Sequence, residues 1–513
     1  MATQFPYITA ILATTLIGAL VTILLPEKKH LAIKLTAVIS SFITLVLSFI
    51  LFLFFDRTAN GFQFIEKTPW LPQIGITYHV GIDGIGLSMI LLTGVIFFAG
   101  ALISSHEFKP GGLLGAVGRP KEFFALLFIL VAGVFGVFVS LDLFFLFLFY
   151  EMAVLPMYLL IAIWGTGKKE YSAMKLTLYL LLGSTFILVG ILAIFFASGL
   201  KTFDWVSLNS IALPKNLQLF IFPLFFVGFG ILAGLWPFHT WSPDGHASAP
   251  SAVSMLHAGV LMKLGAFGII RVALPLLPYG AQVYCPFFAS LTVVNIVYGA
   301  LVALAQKDLK YVIAYSSVSH MGIVMFGICS LNSLGISGSV FQMFSHGVMT
   351  GLFFALVGCI YGRTHTRTLS EMGGLAKLAP FLAVAFSIGG LASLGLPGTS
   401  GFVAELLVLL GAFRAYPVLT VIAATGIVIT AIYVLRVLQN IFFAGLKDRF
   451  VAPGAGHKGD HHHIEISDAV MAERWPLSIL LALLVVLGVY PSLLINLINP
   501  GVTAILQKLG GPF

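Results

Sequence analysis

The 513-residue sequence predicts an all-α integral membrane protein with about fourteen transmembrane helices, and three observations support that class. Hydrophobic residues make up 59% of the chain and charged residues only 9%, with a mean hydropathy of +1.05, values outside the range of water-soluble domains. Apolar stretches of about 16 to 30 residues recur along nearly the whole length, each near the roughly 20 needed to cross a hydrocarbon core. Two of these stretches are interrupted by Gly and Pro.

The first stretches, Tyr7 to Leu25 and Leu31 to Phe55, are continuous. The first lacks a basic leader and a small-residue cleavage site, so it reads as a span rather than a removable signal. Ile85 to Ser104, Phe123 to Val139, Leu143 to Trp164 and Ala173 to Phe196 follow as uninterrupted spans. The seventh, Phe220 to Pro237, runs into GILAGLWPFHTWSPDGHASAPSAV before apolar sequence resumes at Met255 to Ile270. Phe287 to Ala305, Tyr311 to Ser330 and Val340 to Ile360 come next. The twelfth, Phe381 to Leu410, contains SLGLPGTSGF, and Val418 to Phe443 and Leu477 to Leu497 complete the set.

With both termini outside, the inner loops hold eighteen Lys and Arg residues and the outer loops seven, while Lys263 and Arg436 fall within spans. That bias fits an even span count, and it accounts for the net charge of +8 without a nucleic-acid partner. Cys285, Cys329 and Cys359 are far apart, with no C-x-x-C spacing, and no nucleotide-binding loop is present, so a cluster, zinc or nucleotide site within this chain is not expected. The tract GAGHKGDHHHIEISD holds His457, Asp460, His461, His462, His463 and Glu465 but lacks fixed helical spacing, so it reads as a solvated loop rather than a metal site.

The two interrupted spans are five apart. A repeat of five spans is odd, so its second copy is inverted in the bilayer. This gives three N-terminal spans (1–121), a first five-helix repeat (122–274), an inverted second repeat (285–444), a His-rich loop (445–474) and a last span with the C-terminus (475–513). Broken backbone at membrane depth is tolerated only inside protein or beside water, so the breaks mark candidate hydrated sites. A simple packing kink is the alternative.

Lys263 sits in the middle of SMLHAGVLMKLGAFGII, too deep to snorkel, and Glu151 and Glu405 are likewise placed within spans. A charge held at such depth is costly and defaults to an ion-pathway role, against the alternative of a static buried pair. His320 and His346, on the tenth and eleventh spans, carry imidazoles that exchange protons near neutral pH; satisfied core histidines are the competing reading. His239, Asp244, His246 and His257 cluster at the seventh-span break, where shaping a helix junction is the simpler role. His257 is six residues from Lys263, off its face, so a water link is expected between them.

These residues lie within YEMAVLPMYLLIAIWG, PFHTWSPDGHASAPSAVSMLHAGVLMKLGAFGIIR, QKDLKYVIAYSSVSHMG, QMFSHGVMTGLFF and LASLGLPGTSGFVAELLVL. With these motifs the chain resembles, over essentially its whole length, the antiporter-like M subunits (subunit 4) of NADH:quinone oxidoreductase, the complex I family. The resemblance implies a proton-translocating membrane-arm subunit whose relay uses Glu151, Lys263, His320, His346 and Glu405, with Lys175, His239 and His257 as auxiliaries. It implies partners among other membrane-arm subunits, including other antiporter-like ones, and lipids. Flavin, iron–sulfur clusters and quinone are expected on other subunits, with no cofactor on this chain. The implied location is an energy-transducing membrane, the bacterial inner membrane, with both termini outside.

At one position the chain departs from the pattern. Where the family carries a lysine five residues before the proline of the PFH motif, this chain has Leu232, so Glu151 lacks its expected cation; either it has another partner, Lys175 being the nearest candidate in sequence, or it holds its proton more tightly and switches differently. The runner-up function is a subunit of a multi-subunit Na⁺/H⁺ antiporter, which shares the fold; a passive spacer is the third reading, motivated by Leu232.

Overall fold

The computed structural model describes residues 5–59, 61–108, 112, 114–115, 117–450 and 466–510. The His-rich tract with His457, Asp460, His461, His462, His463 and Glu465 lies outside the described residues. The helices are numbered here by span: α1 Tyr7–Leu24, α2 His30–Phe54, α3 Gly84–Glu107, α4 Pro120–Val139, α5 Leu143–Trp164, α6 Lys169–Ser198, α7 Lys215–Ala233 and α8 Ser251–Leu276. They continue with α9 Pro278–Ala305, α10 Leu309–Cys329, α11 Ser333–Thr364, α12 in two pieces (Pro380–Ser393 and Ser400–Ala415), α13 Pro417–Phe443, α14 Met471–Val489 and α15 Ser492–Leu509. Thirteen helices among the described residues are long and apolar enough to cross a membrane, and the remaining expected span is the interrupted α12.

Burial separates these helices into two kinds. The most apolar windows of α8 and α11 are wholly buried, and α10 is nearly so, whereas α2, α13 and α14 bury only about a third of theirs. A helix apolar on every side and packed on every side forms the interior of the bundle; one with a free apolar face meets lipid. The interior helices carry the polar residues, including Lys263 on α8, His320 on α10 and His346 on α11.

Both predicted interruptions are real and share one backbone device. At the end of α7, Gly234 has φ +83°, its N–H bonds the Ile231 carbonyl, and the Leu235 N–H reaches back to Gly230 O at 2.8 Å. In α12, Gly395 has φ +73°, its N–H bonds the Ala392 carbonyl, and the Leu396 N–H reaches Leu391 O at 3.0 Å. In each case a left-handed glycine ends the helix and the next residue bonds five positions back, the Schellman arrangement. Past α7 the exposed backbone is met by a side chain: Asn295 of α9 accepts from the Trp236 N–H and donates to Gly234 O at 2.9 Å and Val318 O at 3.0 Å. That break is therefore closed by protein at its first residues.

A second pair of matched features lies at the starts of α5 and α10. Asp142 caps α5 by accepting from the Phe144 N–H at 2.9 Å and pairs as an isolated antiparallel bridge with Asp204. Asp308 caps α10 by accepting from the Lys310 N–H at 2.8 Å and pairs in the same way with Thr368.

The all-α expectation needs one correction. A two-stranded antiparallel hairpin, β1 Gln63–Leu71 and β2 Ile76–Ile82, joins α2 to α3, with Glu66 opposite Val80 and Thr68 opposite Tyr78. Its outer strand exposes most side chains, while β2 is largely buried. The hairpin is anchored by Glu66, which accepts from the Ile8 N–H at the start of α1, and by His79, 2.6 Å from Asp204. Burial alone would raise the Asp204 carboxyl, but His79, Ser207 and Lys67 more than offset it and hold the group below the ordinary carboxylate range. The last expected span also ends earlier than predicted. The chain turns at Tyr490 and Pro491 and continues as the separate, amphipathic α15.

Candidate functional site: a buried lysine–histidine–glutamate row

Lys263 lies on α8 just after a wide turn, His257–Leu261, that closes on bonds five residues apart. Such π-bulges within helices recur at functional sites. The ammonium is fully buried, donates to the carbonyl of Ala258, and lies 2.7 Å from Nδ1 of His346. The amine thus makes a direct contact between α8 and α11.

Two glycines permit that contact. A side chain placed on Gly347 of α11 would lie 2.6 Å from the Gly259 carbonyl of α8, so the two backbones touch one residue beyond His346. Small residues at a crossing let membrane helices approach closely enough for their polar groups to meet.

From His346 the row continues across α10. The His346 and His320 rings stack with centroids 5.3 Å apart, and His320 Nε2 lies 3.5 Å from Oε1 of Glu405 on the second piece of α12. Both nitrogens of His320 face acceptors, Nδ1 the Ser316 carbonyl at 2.8 Å and Nε2 the Ser393 carbonyl at 3.2 Å. A ring so placed has a partner for each N–H when doubly protonated. Tyr433 of α13 donates to the Ser316 hydroxyl at 2.7 Å and closes the far side. Glu405 is buried, and its carboxylate packs so closely on Gly395 that a Cβ there would come within 2.8 Å of it. The α12 break thus makes room for the acid.

His257, next to the Ala258 carbonyl that Lys263 meets, stands with His246, rings 3.9 Å apart, flanked by Trp241 and Phe354. Both are fully buried, and neither finds a hydrogen-bond partner among the described residues for either ring nitrogen; the same holds for His239 and for Nε2 of His346. Buried polar atoms are almost always bonded, and ordered water is one partner that would complete the pairing of these imidazole nitrogens.

Lys175 and Glu151 do not meet. The Lys175 ammonium is 2.7 Å from Asp244, which also accepts from the Tyr311 hydroxyl at 3.0 Å, so the suggested substitute cation is engaged at the α7–α8 junction. Glu151 is half-buried on α5 beside Ser184 of α6, in no ion pair among the described residues, and Leu232 is fully buried. Sequence reading also placed Lys310 and Arg271 in loops. The structure buries both: the Lys310 ammonium donates to the Ala249 carbonyl at 2.7 Å, and Arg271 lies 2.5 Å from Asp83. Glu107 is a further buried acid that sequence reading left out; it ends α3, with one carboxylate oxygen lacking a partner. Its position at the edge of an apolar run hid it.

The family model described as NADH:quinone oxidoreductase/Mrp antiporter, transmembrane, matches residues 140–430, which contain the whole row. The chain is 36% identical to NAD(P)H-quinone oxidoreductase chain 4 1 of Nostoc sp., with 96% of this chain and 89% of the relative covered. It is 36% identical to NADH-quinone oxidoreductase subunit M of Rickettsia bellii, covering 94% and 93%. Among solved structures, a chain of respiratory complex I from Thermus thermophilus superposes with a TM-score of 0.86 at 29% identity, covering 98% of this chain and all of that one. A chain of the Mrp complex from Dietzia sp. superposes at 0.85 with 20% identity, over 99% of this chain and all of that one, a likeness of fold. The chain belongs to the transmembrane NADH:quinone oxidoreductase/Mrp antiporter family, among the subunit M (chain 4) proteins.

Proposed function

We propose that this chain is a proton-translocating membrane-arm subunit of a complex I type redox pump. The observation that carries the proposal is the contiguous row Lys263, His346, His320, Glu405 within the interior helices. Lysine and histidine exchange protons, whereas a sodium site wants oxygen ligands, so the row suits H⁺. Protons are taken up near Glu151 and the α7 break, reach Lys263 through water around His239, His246 and His257, and pass along the imidazoles to Glu405. Charge changes in neighbouring subunits load and unload the lysine.

The matched caps at Asp142 and Asp308, with their bridges to Asp204 and Thr368, support reading residues 122–274 and 285–444 as inverted repeats, as do the matched glycine ends at Gly234 and Gly395. On this reading Glu151 works with Ser184 in place of an ion partner, and the Lys175–Asp244–Tyr311 group fixes the uptake end. Flavin, iron–sulfur clusters and quinone belong to other subunits, lipids surround the complex, and both termini lie outside a bacterial inner membrane.

A subunit inventory of the purified complex tests the assignment. Copurification of quinone-reducing subunits carrying flavin and iron–sulfur centres is expected. A complex devoid of redox centres that exchanges Na⁺ for H⁺ would instead assign the chain to an antiporter.

A further inference from the structure

At the end of the molecule where α10 begins and α13 finishes, an open cavity of about 440 Å³ lies apart from the proton row. Lys307, Arg436 and Lys447 line it, with Ser370 and Asn440. Arg436 and Asn440 lie near the end of α13, and Ala444 just past it. Arg436 donates to the Leu304 carbonyl at 2.7 Å, and none of the three cations is in an ion pair among the described residues. Three acids lie close in sequence to the lining: Asp308 accepts from the Lys310 N–H and pairs with Arg367 at 3.4 Å, Glu371 accepts from the Thr366 hydroxyl, and Asp448 is exposed beside Lys447.

Arg436 is exposed near the end of a lipid-facing helix, where a guanidinium reaches the interface and the headgroups there. Below the cavity, toward the middle of the bilayer, the surface is apolar and uncovered: Ile432 and Leu435 on α13 and Leu301 on α9 are each at least half exposed. A cationic cup above an apolar track matches a molecule with a negative head and hydrocarbon tails. Basic pockets of this kind on the Lys- and Arg-rich side of a membrane protein take phosphate headgroups. We propose that this cavity binds the phosphate of an anionic phospholipid, with Lys307, Arg436 and Lys447 as charge partners, Ser370 and Asn440 as hydrogen donors, and the α9 and α13 faces as the acyl bed.

The test uses the intact complex, delipidated in non-ionic detergent and re-exposed to equal amounts of phosphatidylglycerol and phosphatidylcholine, with bound lipid counted by mass spectrometry. Wild type is expected to retain phosphatidylglycerol preferentially. Each cation removed, in Lys307→Gln, Arg436→Gln or Lys447→Gln, is expected to lower that retention about fivefold, the effect of one basic residue near an anionic surface. Arg436→Lys, which keeps the charge, is expected to hold most of the preference, and Lys447→Gln alters only an exposed residue, so loss there is not a folding defect. Equal retention in the Gln variants, no headgroup preference in wild type, or displacement of the lipid by millimolar inorganic phosphate would each overturn the assignment, the last by making the ligand a free anion.

Discussion

Replacing Lys263 with Ala in the assembled complex is expected to leave quinone-reductase centres in place and to remove this subunit's proton transport. The reason is geometric. Lys263 reaches from α8 to Nδ1 of His346, and without its ammonium the imidazole pair His346–His320 loses that hydrogen-bonded link to α8, the helix that also carries His257. A proton-transferring side chain contributes about 10²–10⁴ in rate, so the residual flux through this subunit falls below detection in a proteoliposome assay. Alanine also leaves a cavity among fully buried residues, so Lys263→Met, which fills the same space without a charge, separates packing from protonation. Both variants are expected to lower the proton-to-electron ratio equally. An unchanged ratio in the Met variant would remove Lys263 from the pathway.

The second large effect concerns folding. Arg271 and Asp83 form a 2.5 Å ion pair between α8 and the start of α3, with both side chains less than a tenth exposed. Phe62 and Phe267 lie against the guanidinium at 4.9 and 5.2 Å, and Asp83 also caps α3 through the Gly86 N–H. Arg271→Ala leaves that carboxylate buried without its cation, at a cost of about 3–5 kcal/mol. The measurement is thermal unfolding of the purified complex, read on this subunit, together with its yield. Lys at 271 is expected to recover only part of the loss, because it cannot stack a planar guanidinium on the two rings. A melting curve for Arg271→Ala that overlays wild type would show that the pair is dispensable.

Much of this was legible in the sequence, for physical reasons. Hydrocarbon thickness sets span length, so apolar runs located the helices, and Gly–Leu followed by Pro located both breaks because only glycine takes the left-handed end cheaply. The cost of a buried charge singled out Lys263 and Glu405 before any geometry was known. The hairpin was missed because QFIEKTPWL mixes polar and apolar residues with no alternation that follows its burial, and what makes it a strand is its pairing with ITYHVGI. The partner of Lys175 was open in the sequence because proximity along the chain says nothing about which face of a helix meets another; it is Asp244, 69 positions away. The contact of His346 with Lys263 depends on Gly259 meeting Gly347, a tertiary fact with no periodic signature. Asn295 in VVNIVYGA was a signal available but unused: a lone amide in an apolar run needs a polar partner, and the broken end of α7 supplied it.

The central claim is that protons reach Glu405 through the two stacked histidines. Time-resolved infrared difference spectroscopy of the intact complex during turnover measures this directly, since protonating a carboxylate creates a C=O band. The account predicts a carboxyl band that disappears in Glu405→Gln and fails to develop in His320→Ala, while redox turnover of the other subunits persists. A turnover-linked band of Glu405 that survives His320→Ala, or the absence of any band sensitive to Glu405→Gln, would contradict it.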